Sequence, residues 1–408
     1  MRIHVWGINY SPEVTGISPY NAALCEFLAL RGYETRMITS FCYYPAWEKL
    51  PTEKGLLFRT DQMDGVTVHR CWQFVPKQIT TWRRALHELS FVLSSFLRQL
   101  VLPRPDLLLV ISPPLLLGPA AWLLSKLKRT KFVFHVQDLQ PDAAAELGMV
   151  RHTALLNFLR RWERFSYQKA NIVSGISPAM LRSFEKKGVP KTKCVYFPNG
   201  VELPDFWRLP QKGRFRAAHG FSRDDFLIVY SGNLGRKQGL EILLEAASNV
   251  KNPAIKFVIC GDGAERSNLE RHAAELALKN TQFLPLLAEP RYRELLVDAD
   301  LSVIPQQPGS GRAFFPSKLL KALAFSCPVL AIADAESELS RAVREGGFGT
   351  VLPPRNPAEI ATRIEELAGD TERLRDQGKA AFKFVKRFEQ SILLDDYAGA
   401  LERAANFN

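Results

Sequence analysis

Short apolar runs alternate with amphipathic runs from one end of this 408-residue chain to the other, and few folds tolerate that pattern. In the first half, strand-like runs are expected at Ile3–Ile8, Thr35–Ser40, Val66–Cys71, Leu107–Ser112, Phe132–Val136, Asn171–Ser174 and Cys194–Phe197. Helix-like runs fall between most of them, at Pro19–Leu30, Trp82–Leu100, Ala154–Gln168 and Ala179–Lys187. The second half repeats the scheme, with strands expected at Phe226–Tyr230, Ile255–Cys260, Gln282–Leu284, Leu301–Pro305, Val329–Ile332 and Thr350–Leu352. Parallel neighbours need a crossover, and a helix in that crossover covers the sheet. Both halves therefore read as doubly wound α/β domains, and a chain this long outgrows a single core.

The turn-rich stretch Pro198-Asn-Gly-Val-Glu-Leu-Pro204, followed by Pro210, Lys212 and Gly213, suits a hinge. The expected domains are residues 1–198 and 199–387, with residues 388–408 holding one more helix. Open α/β sheets bind ligands beyond the carboxyl ends of their strands, so two such domains imply a cleft between them.

Tyr230-Ser-Gly-Asn-Leu-Gly-Arg-Lys-Gln-Gly-Leu240 is the part of the chain richest in chemistry. A buried strand runs into a glycine turn, and a helix is expected to open near Gly239. Free backbone N–H groups and a positive dipole end then point at one spot, which suits a phosphate. Gly232, Asn233, Arg236 and Gln238 are binding candidates there, and Lys237 adds charge. A second seat is expected at Phe314-Phe-Pro-Ser-Lys318, where Pro316 and Ser317 open a helix. Lys318 in its first turn opposes the helix dipole, a conflict that a bound anion would resolve.

Other glycine loops follow strands. Asn9–Tyr20 carries Gly16, with Ser18 as a candidate N-cap before Pro19. The plain alternative there is an ordinary connection. Gly261 and Gly263 form only a G-x-G, without the further residues of a dinucleotide site, so NAD is not expected. Phe132–Asp142 ends a buried strand in Gln137 and Asp138, with Asp142 just beyond. Asp138 and Asp142 are acid–base or hydroxyl-binding candidates, and His135 is better read as a satisfied core histidine. Asp298-Ala-Asp300 has the form of a metal-diphosphate motif, but helix-end solvation explains it better. No metal or other cofactor is expected.

The balance of 54 Lys+Arg against 42 Asp+Glu gives a net charge of +12, which favours an anionic partner. Trp82–Arg98 mixes apolar and basic residues and has two readings. It is either a core-packing helix with a basic solvent face or a helix resting on an anionic inner-membrane leaflet. Six scattered cysteines, no secretory leader and no long apolar segment lead to a cytoplasmic expectation. No nucleic-acid reader signature is present, and no nucleic-acid partner is expected.

Taken together, these stretches resemble the GT-B glycosyltransferases of family 4 over essentially the whole chain. The resemblance rests on Thr15-Gly-Ile-Ser-Pro-Tyr20, Phe197-Pro-Asn-Gly-Val201, Gly261-Asp-Gly-Ala-Glu-Arg266, Ala299-Asp-Leu-Ser-Val-Ile-Pro305 and Cys327-Pro-Val-Leu-Ala331. It implies two Rossmann-like domains facing across a cleft, with the tail helix bracing the first. It also implies transfer of a sugar, with retention, from a nucleotide diphosphate donor (GDP-fucose-like in the narrowest reading) onto a lipid-linked exopolysaccharide precursor. Asp138, Lys237 and Lys318 would be catalytic. Gly16, Ser18, Gly232, Asn233, Arg236, Gln238, Gly261, Pro316 and Ser317 would bind the donor, and Gln137 and Asp142 would face the acceptor.

The chain departs from the family where two glutamates usually stand, at Ala313 and Lys321. It also departs at Asn233, Gln238 and Gln137, in place of Arg, Lys and His. Two alternatives stay open: a donor-binding or scaffolding subunit, and a GT-B nucleotide-sugar epimerase.

Overall fold

The computed structural model describes residues 1–14, 16–44, 46–78, 80–142, 153–309 and 317–406, without the side chains of Thr153 and Ser317. The chain divides into two compact units, Met1–Asn199 with Ser391–Asn408, and Gly200–Gln390. The first unit thus takes in the last helix, and the divisions fall within three residues of the expected 198/199 and 387/388.

Unit 1 contains strands β1 (Arg2–Trp6), β2 (Glu34–Ser40), β3 (Phe58–Met63), β4 (Val66–Cys71), β5 (Leu107–Ser112), β6 (Lys131–Val136), β7 (Ile172–Gly175) and β8 (Cys194–Tyr196). They form one sheet in the order β3-β4-β2-β1-β5-β6-β7-β8. Every pairing is parallel except β3 with β4. That hairpin was not expected from the sequence. Its turn is Asp64-Gly65, both with positive φ, a pair that matches the twist of two antiparallel strands.

The helices are α1 (Ser18–Leu30), α2 (Thr81–Val101), α3 (Leu117–Lys128), α4 (Thr153–Lys169) and α5 (Pro178–Lys186). Side chains of a strand alternate between sheet faces, so Ile3 and Val5 join Leu24 and Leu28 of α1 in one core. His4 and Trp6 point the other way, toward α2.

Unit 2 contains β9 (Phe226–Ser231), β10 (Ile255–Cys260), β11 (Thr281–Leu284), β12 (Leu301–Pro305), β13 (Val329–Ile332) and β14 (Gly349–Leu352). They run parallel in the order β11-β10-β9-β12-β13-β14, the arrangement of a doubly wound nucleotide-binding sheet. Its helices are α6 (Arg214–His219), α7 (Glu241–Asn249), α8 (Arg266–Glu275), α9 (Glu289–Asp298), α10 (Ser317–Ala324), α11 (Glu338–Gly346), α12 (Pro357–Gly369) and α13 (Thr371–Val385). Strand order reverses between β9 and β12, which is where such a sheet opens a crevice.

The last helix, α14 (Gln390–Asn406), places Leu394, Tyr397, Ala398 and Leu401 in the same core as β1 and β5. Tyr397 stacks on Phe197 with ring centroids 3.8 Å apart and planes 3° from parallel. Its hydroxyl lies 2.7 Å from Ser174 Oγ. Aromatic stacking and a satisfied hydroxyl fix this helix on unit 1 more firmly than apolar burial alone would.

Candidate active site

The loop after β9 stands at the switch point of unit 2. Gly232 there has a φ of +140° and Gly261, at the end of β10, has +149°, both in a region that favours glycine. A Cβ on Gly261 would lie 1.8 Å from the Gly232 carbonyl oxygen, so the two loops touch backbone to backbone. The Gly232 amide donates to the Cys260 carbonyl at 2.9 Å, and the Leu234 amide to the Asp262 carbonyl at 2.8 Å. Gly261 therefore serves the shape of the loop. On the β12 side, the Gln307 amide donates to the Lys237 carbonyl at 2.9 Å, which binds the loop to the neighbouring strand end.

Lys318, in the first turn of α10, reaches this loop. Its Nζ donates to Tyr230 Oη at 2.6 Å and lies 4.0 Å from the Tyr230 ring centroid. The Tyr230 hydroxyl donates in turn to the Asn233 carbonyl at 2.7 Å. A Cβ on Gly232 would meet the Lys318 amine at 3.6 Å, so the cation sits against the glycine backbone. Burial pushes the Lys318 pKa down to about 7. Among the described residues no carboxylate pairs with it. A half-buried ammonium that meets, among the described residues, a hydroxyl and a ring but no carboxylate is short of negative charge.

The other expected residues of this seat separate. The helix does not open near Gly239: Arg236–Gln238 is a 3-10 turn, and α7 starts at Glu241. Gly239, at φ +57°, ends that turn because its missing Cβ lets Gln307 approach. The anion would thus meet turn and loop amides, not the end of α7. Asn233 is exposed, its Nδ2 2.9 Å and its Oδ1 2.6 Å from Cβ positions built on Gly235 and Gly263. Gln238 is buried, with its Oε1 unpaired among the described residues. Arg236 is 90% exposed and lies 3.5 Å from Glu265. Lys237 is half-buried. Pro316 lies outside the described residues, as does Ala313, and Ser317 is described only as the first residue of α10. Lys321 pairs with Glu289 at 2.9 Å.

Unit 1 uses its polar residues differently. Gly16 has a φ of +67°, and its missing Cβ faces the Tyr44 ring. Ser18 is not the N-cap of α1; it is the first helical residue, and Ile17 occupies the cap with no side-chain bond. Its hydroxyl is buried without a partner among the described residues. Glu13, which the sequence did not single out, holds the loop. Its Oε1 accepts from the Tyr43 and Tyr44 amides at 2.9 Å each, and its Oε2 from Asn9 Nδ2 at 2.8 Å. Burial raises its pKa against those bonds.

Gln137 exchanges two amide bonds with Asn199, each 3.0 Å, and its Nε2 also lies 2.9 Å from His135 Nε2. His135 Nδ1 lies 3.0 Å from Ser174 Oγ, and burial holds its pKa down to about 3. An imidazole that accepts from Gln137 donates from Nδ1 to Ser174, which sets its tautomer. Asp138 is half-buried just after β6. Asp142 is bound to Lys187 at 2.7 Å, and Lys187 also holds the buried Glu163 at 2.7 Å.

The two aspartates of the D-x-D do not serve helix-end solvation. Asp298 is fully buried and accepts from the Gly213 and Arg216 amides at the start of α6. Asp300 accepts from the Arg216 guanidinium at 2.6 Å and the Leu227 amide at 2.9 Å. Both brace the scaffold, and among the described residues no group of side chains could hold a metal ion.

Two family models divide the chain between them: the glycosyl transferase 4-like domain matches residues 15–200, and glycosyl transferases group 1 matches residues 211–384. A protein of Escherichia coli strain K12, named as the colanic acid biosynthesis glycosyl transferase WcaI, is 34% identical over 374 residues, which cover 90% of this chain and 92% of that one. The chain belongs to the GT-B glycosyltransferases of family 4. It is accordingly a transferase.

Solved structures bear out the fold. Sucrose-phosphate synthase from Thermosynechococcus elongatus matches with a TM-score of 0.77 at 18% identity, over 98% of both chains. HepE of Anabaena, solved with UDP, matches with a TM-score of 0.69 at 18% identity, over 98% of this chain and 100% of that one. Within this family member, the candidate site residue that sequence reasoning missed is Tyr230. Its signal was its place as the last apolar residue before Gly232, and only α10 shows what its hydroxyl does.

Proposed function

We propose that this glycosyltransferase moves a sugar, with retention at the anomeric carbon, from a nucleoside diphosphate sugar onto a lipid-linked exopolysaccharide precursor at the inner face of the membrane. The observation that carries the donor half is the half-buried Lys318 ammonium, with no carboxylate partner among the described residues, against the backbone of Gly232. In the transfer, the bond from the anomeric carbon to the diphosphate oxygen breaks and the nucleoside diphosphate gains negative charge. The acceptor hydroxyl oxygen bonds to that carbon, and its proton passes to the departing diphosphate. Lys318 stabilises the charge as it develops, aided by Lys237 and by the loop around Gly232, Asn233, Gln238 and Gly261. Gly16 and Ser18, whose hydroxyl has no partner among the described residues, add a weaker donor contact. Asp138 and Gln137 lie on the acceptor side.

The polysaccharide reading leans on the likeness to WcaI, and GDP-fucose is the first donor to try. A thermal-shift panel of GDP- and UDP-sugars identifies the donor, because a ligand at about a hundred times its Kd stabilises by roughly 2.7 kcal/mol. Transfer to a lipid-linked saccharide, with the anomeric configuration read by NMR, then tests the reaction. Nucleotide binding without turnover would replace the reading with a donor-binding subunit. Conversion of the donor with no acceptor present would make the protein an epimerase.

A further inference from the structure

Helix α2 is built inside out. Of the two readings of its sequence, the core-packing helix with a basic solvent face requires apolar residues inward, and the structure shows otherwise. The buried face carries His87, Ser95 and Gln99 along with Phe91 and Val92. These polar groups meet partners below the helix: Trp6 Nε1 donates to Ser95 Oγ at 2.9 Å, His4 Nδ1 lies 2.8 Å from Gln99 Oε1, and His87 Nδ1 lies 2.5 Å from the Phe74 carbonyl oxygen. The solvent face carries Trp82, Leu86, Leu89, Leu93, Leu97 and Leu100, each between 40% and 63% exposed. Steps of three and four residues place all six on one stripe. Single exposed leucines need no explanation, but a full helix face of them does.

The stripe continues onto the helices beside it. α3 packs between α2 and α4, and Leu127 of α3 and Phe158 of α4 are 60% and 51% exposed. The three helices together carry nine Lys or Arg and two acids. Both acids turn away from solvent: the Glu163 side chain is 2% exposed and the Glu88 side chain 21%. The cations Lys126 and Arg161 are exposed. No helix of the described residues is long and apolar enough to cross a membrane.

A second copy of the chain would bring the same cations face to face, with no exposed acid among the described residues of these helices to answer them. A leaflet of anionic lipid answers both features, because headgroups meet the Lys and Arg while the acyl boundary takes the leucines. We propose that the face formed by α2, α3 and α4 binds an anionic bilayer surface, with α2 lying in the interface and its Trp82–Leu100 stripe inserted. This names the surface for the reading above, in which the acceptor is lipid-linked, and it rests on that reading for its purpose. Its test reads binding instead of turnover, so the two can fail separately.

The test is co-sedimentation of the full chain with phosphatidylcholine vesicles, with and without phosphatidylglycerol. The wild type is expected to bind the phosphatidylglycerol vesicles and to release as salt rises. The double variant Leu93→Gln/Leu97→Gln is expected to lose binding roughly tenfold or more while keeping the thermal shift with nucleotide sugar. If that variant shows no nucleotide shift, Lys126→Glu/Arg161→Glu takes its place, with the same expected loss. Wild type that ignores anionic vesicles, or either folded variant binding as wild type does, overturns the proposal. A wild-type dimer that becomes monomeric in the leucine variant, with vesicle binding unchanged, also overturns it and assigns the stripe to a second copy. Vesicle binding without sugar transfer would sink the proposed function and leave this surface standing.

Discussion

The loops that follow the first strand of each unit, after β1 and after β9, hold corresponding positions in similar sheets and differ in their charge balance. In unit 1 the loop closes on itself, with Glu13 taking two backbone N–H groups and the Asn9 amide. Beyond β6, Gln137, Asn199, His135 and Ser174 likewise satisfy one another. In unit 2 the loop lies against a cation, Lys318, that has a hydroxyl and, among the described residues, no carboxylate. A site that will hold a diphosphate has to be left short of negative charge, whereas a scaffold has to be neutralised from within. The contrast supports the proposal that the unit 2 loop carries the main donor contact, with the unit 1 loop mainly a scaffold.

The largest test of that contrast is acid. Burial holds His4, His69 and His87 down to about 4 and His135 to about 3, and all four belong to unit 1. Their folded pKa values lie below the unfolded one, so the unfolded chain takes up more protons as pH falls. Stability present above about pH 6.5 is lost down to about pH 4, at roughly 1.4 kcal/mol per histidine per pH unit. Glu13, Glu88 and Glu163, raised by burial, pull the other way and lessen the slope. Hydrogen exchange followed by mass spectrometry is expected to show unit 1 opening first, and His135→Gln to flatten the slope by one histidine's share. Unit 2 amides losing protection first would break the comparison.

Next in size is Lys318→Met, expected to lower kcat/KM roughly 10²-fold, the cost of one charge-stabilising donor. Its pH signature separates binding from folding. The folded pKa of about 7 lies below the usual lysine value, so the wild-type ammonium is lost as pH rises through 7. Nucleotide-sugar affinity is expected to weaken from pH 7 to 9, by up to about tenfold per unit, and to stay level in the variant. Calorimetric titration across that range reads it. Equal pH dependence in both proteins would remove Lys318 from the seat.

Glu13→Ala sharpens the contrast from the other side. It leaves the Tyr43 and Tyr44 amides and Asn9 without their acceptor, and about 2–4 kcal/mol of stability is expected to go. Urea unfolding measures that loss, while donor affinity is expected to change only a few-fold. A fall in affinity as large as that of Lys318→Met would place the phosphate on unit 1 as well. The smallest effect is expected from Arg236→Ala, below about threefold in kcat/KM, because an exposed side chain near Glu265 is screened by solvent.

Much of the fold was legible because apolar periodicity reports burial directly. The run Phe226–Tyr230 has no polar residue, and a strand with none has both faces covered. The β3 strand was hidden for the opposite reason: Phe58–Met63 is half-exposed and polar, and only Asp64-Gly65 marked its turn. Of the candidate site, Gly232 and Lys318 could be read from strand–glycine–helix spacing. The role of Tyr230 could not, since its hydroxyl acts across 88 residues of chain on Lys318.

By itself the sequence determined two doubly wound sheets and the family, because each follows from periodicity or from contiguous motifs, and it pointed to a glycine loop as the candidate phosphate seat. The tertiary structure decided which charges remain unanswered. Net charge and spacing are properties of the chain, but desolvation and pairing depend on what the fold brings alongside. So Arg236, beside the glycines in sequence, points to solvent, while Lys318, far along the chain, lies against Gly232. The same rule turned α2 over: His4 and Trp6 drew its polar face inward and left its leucines outside.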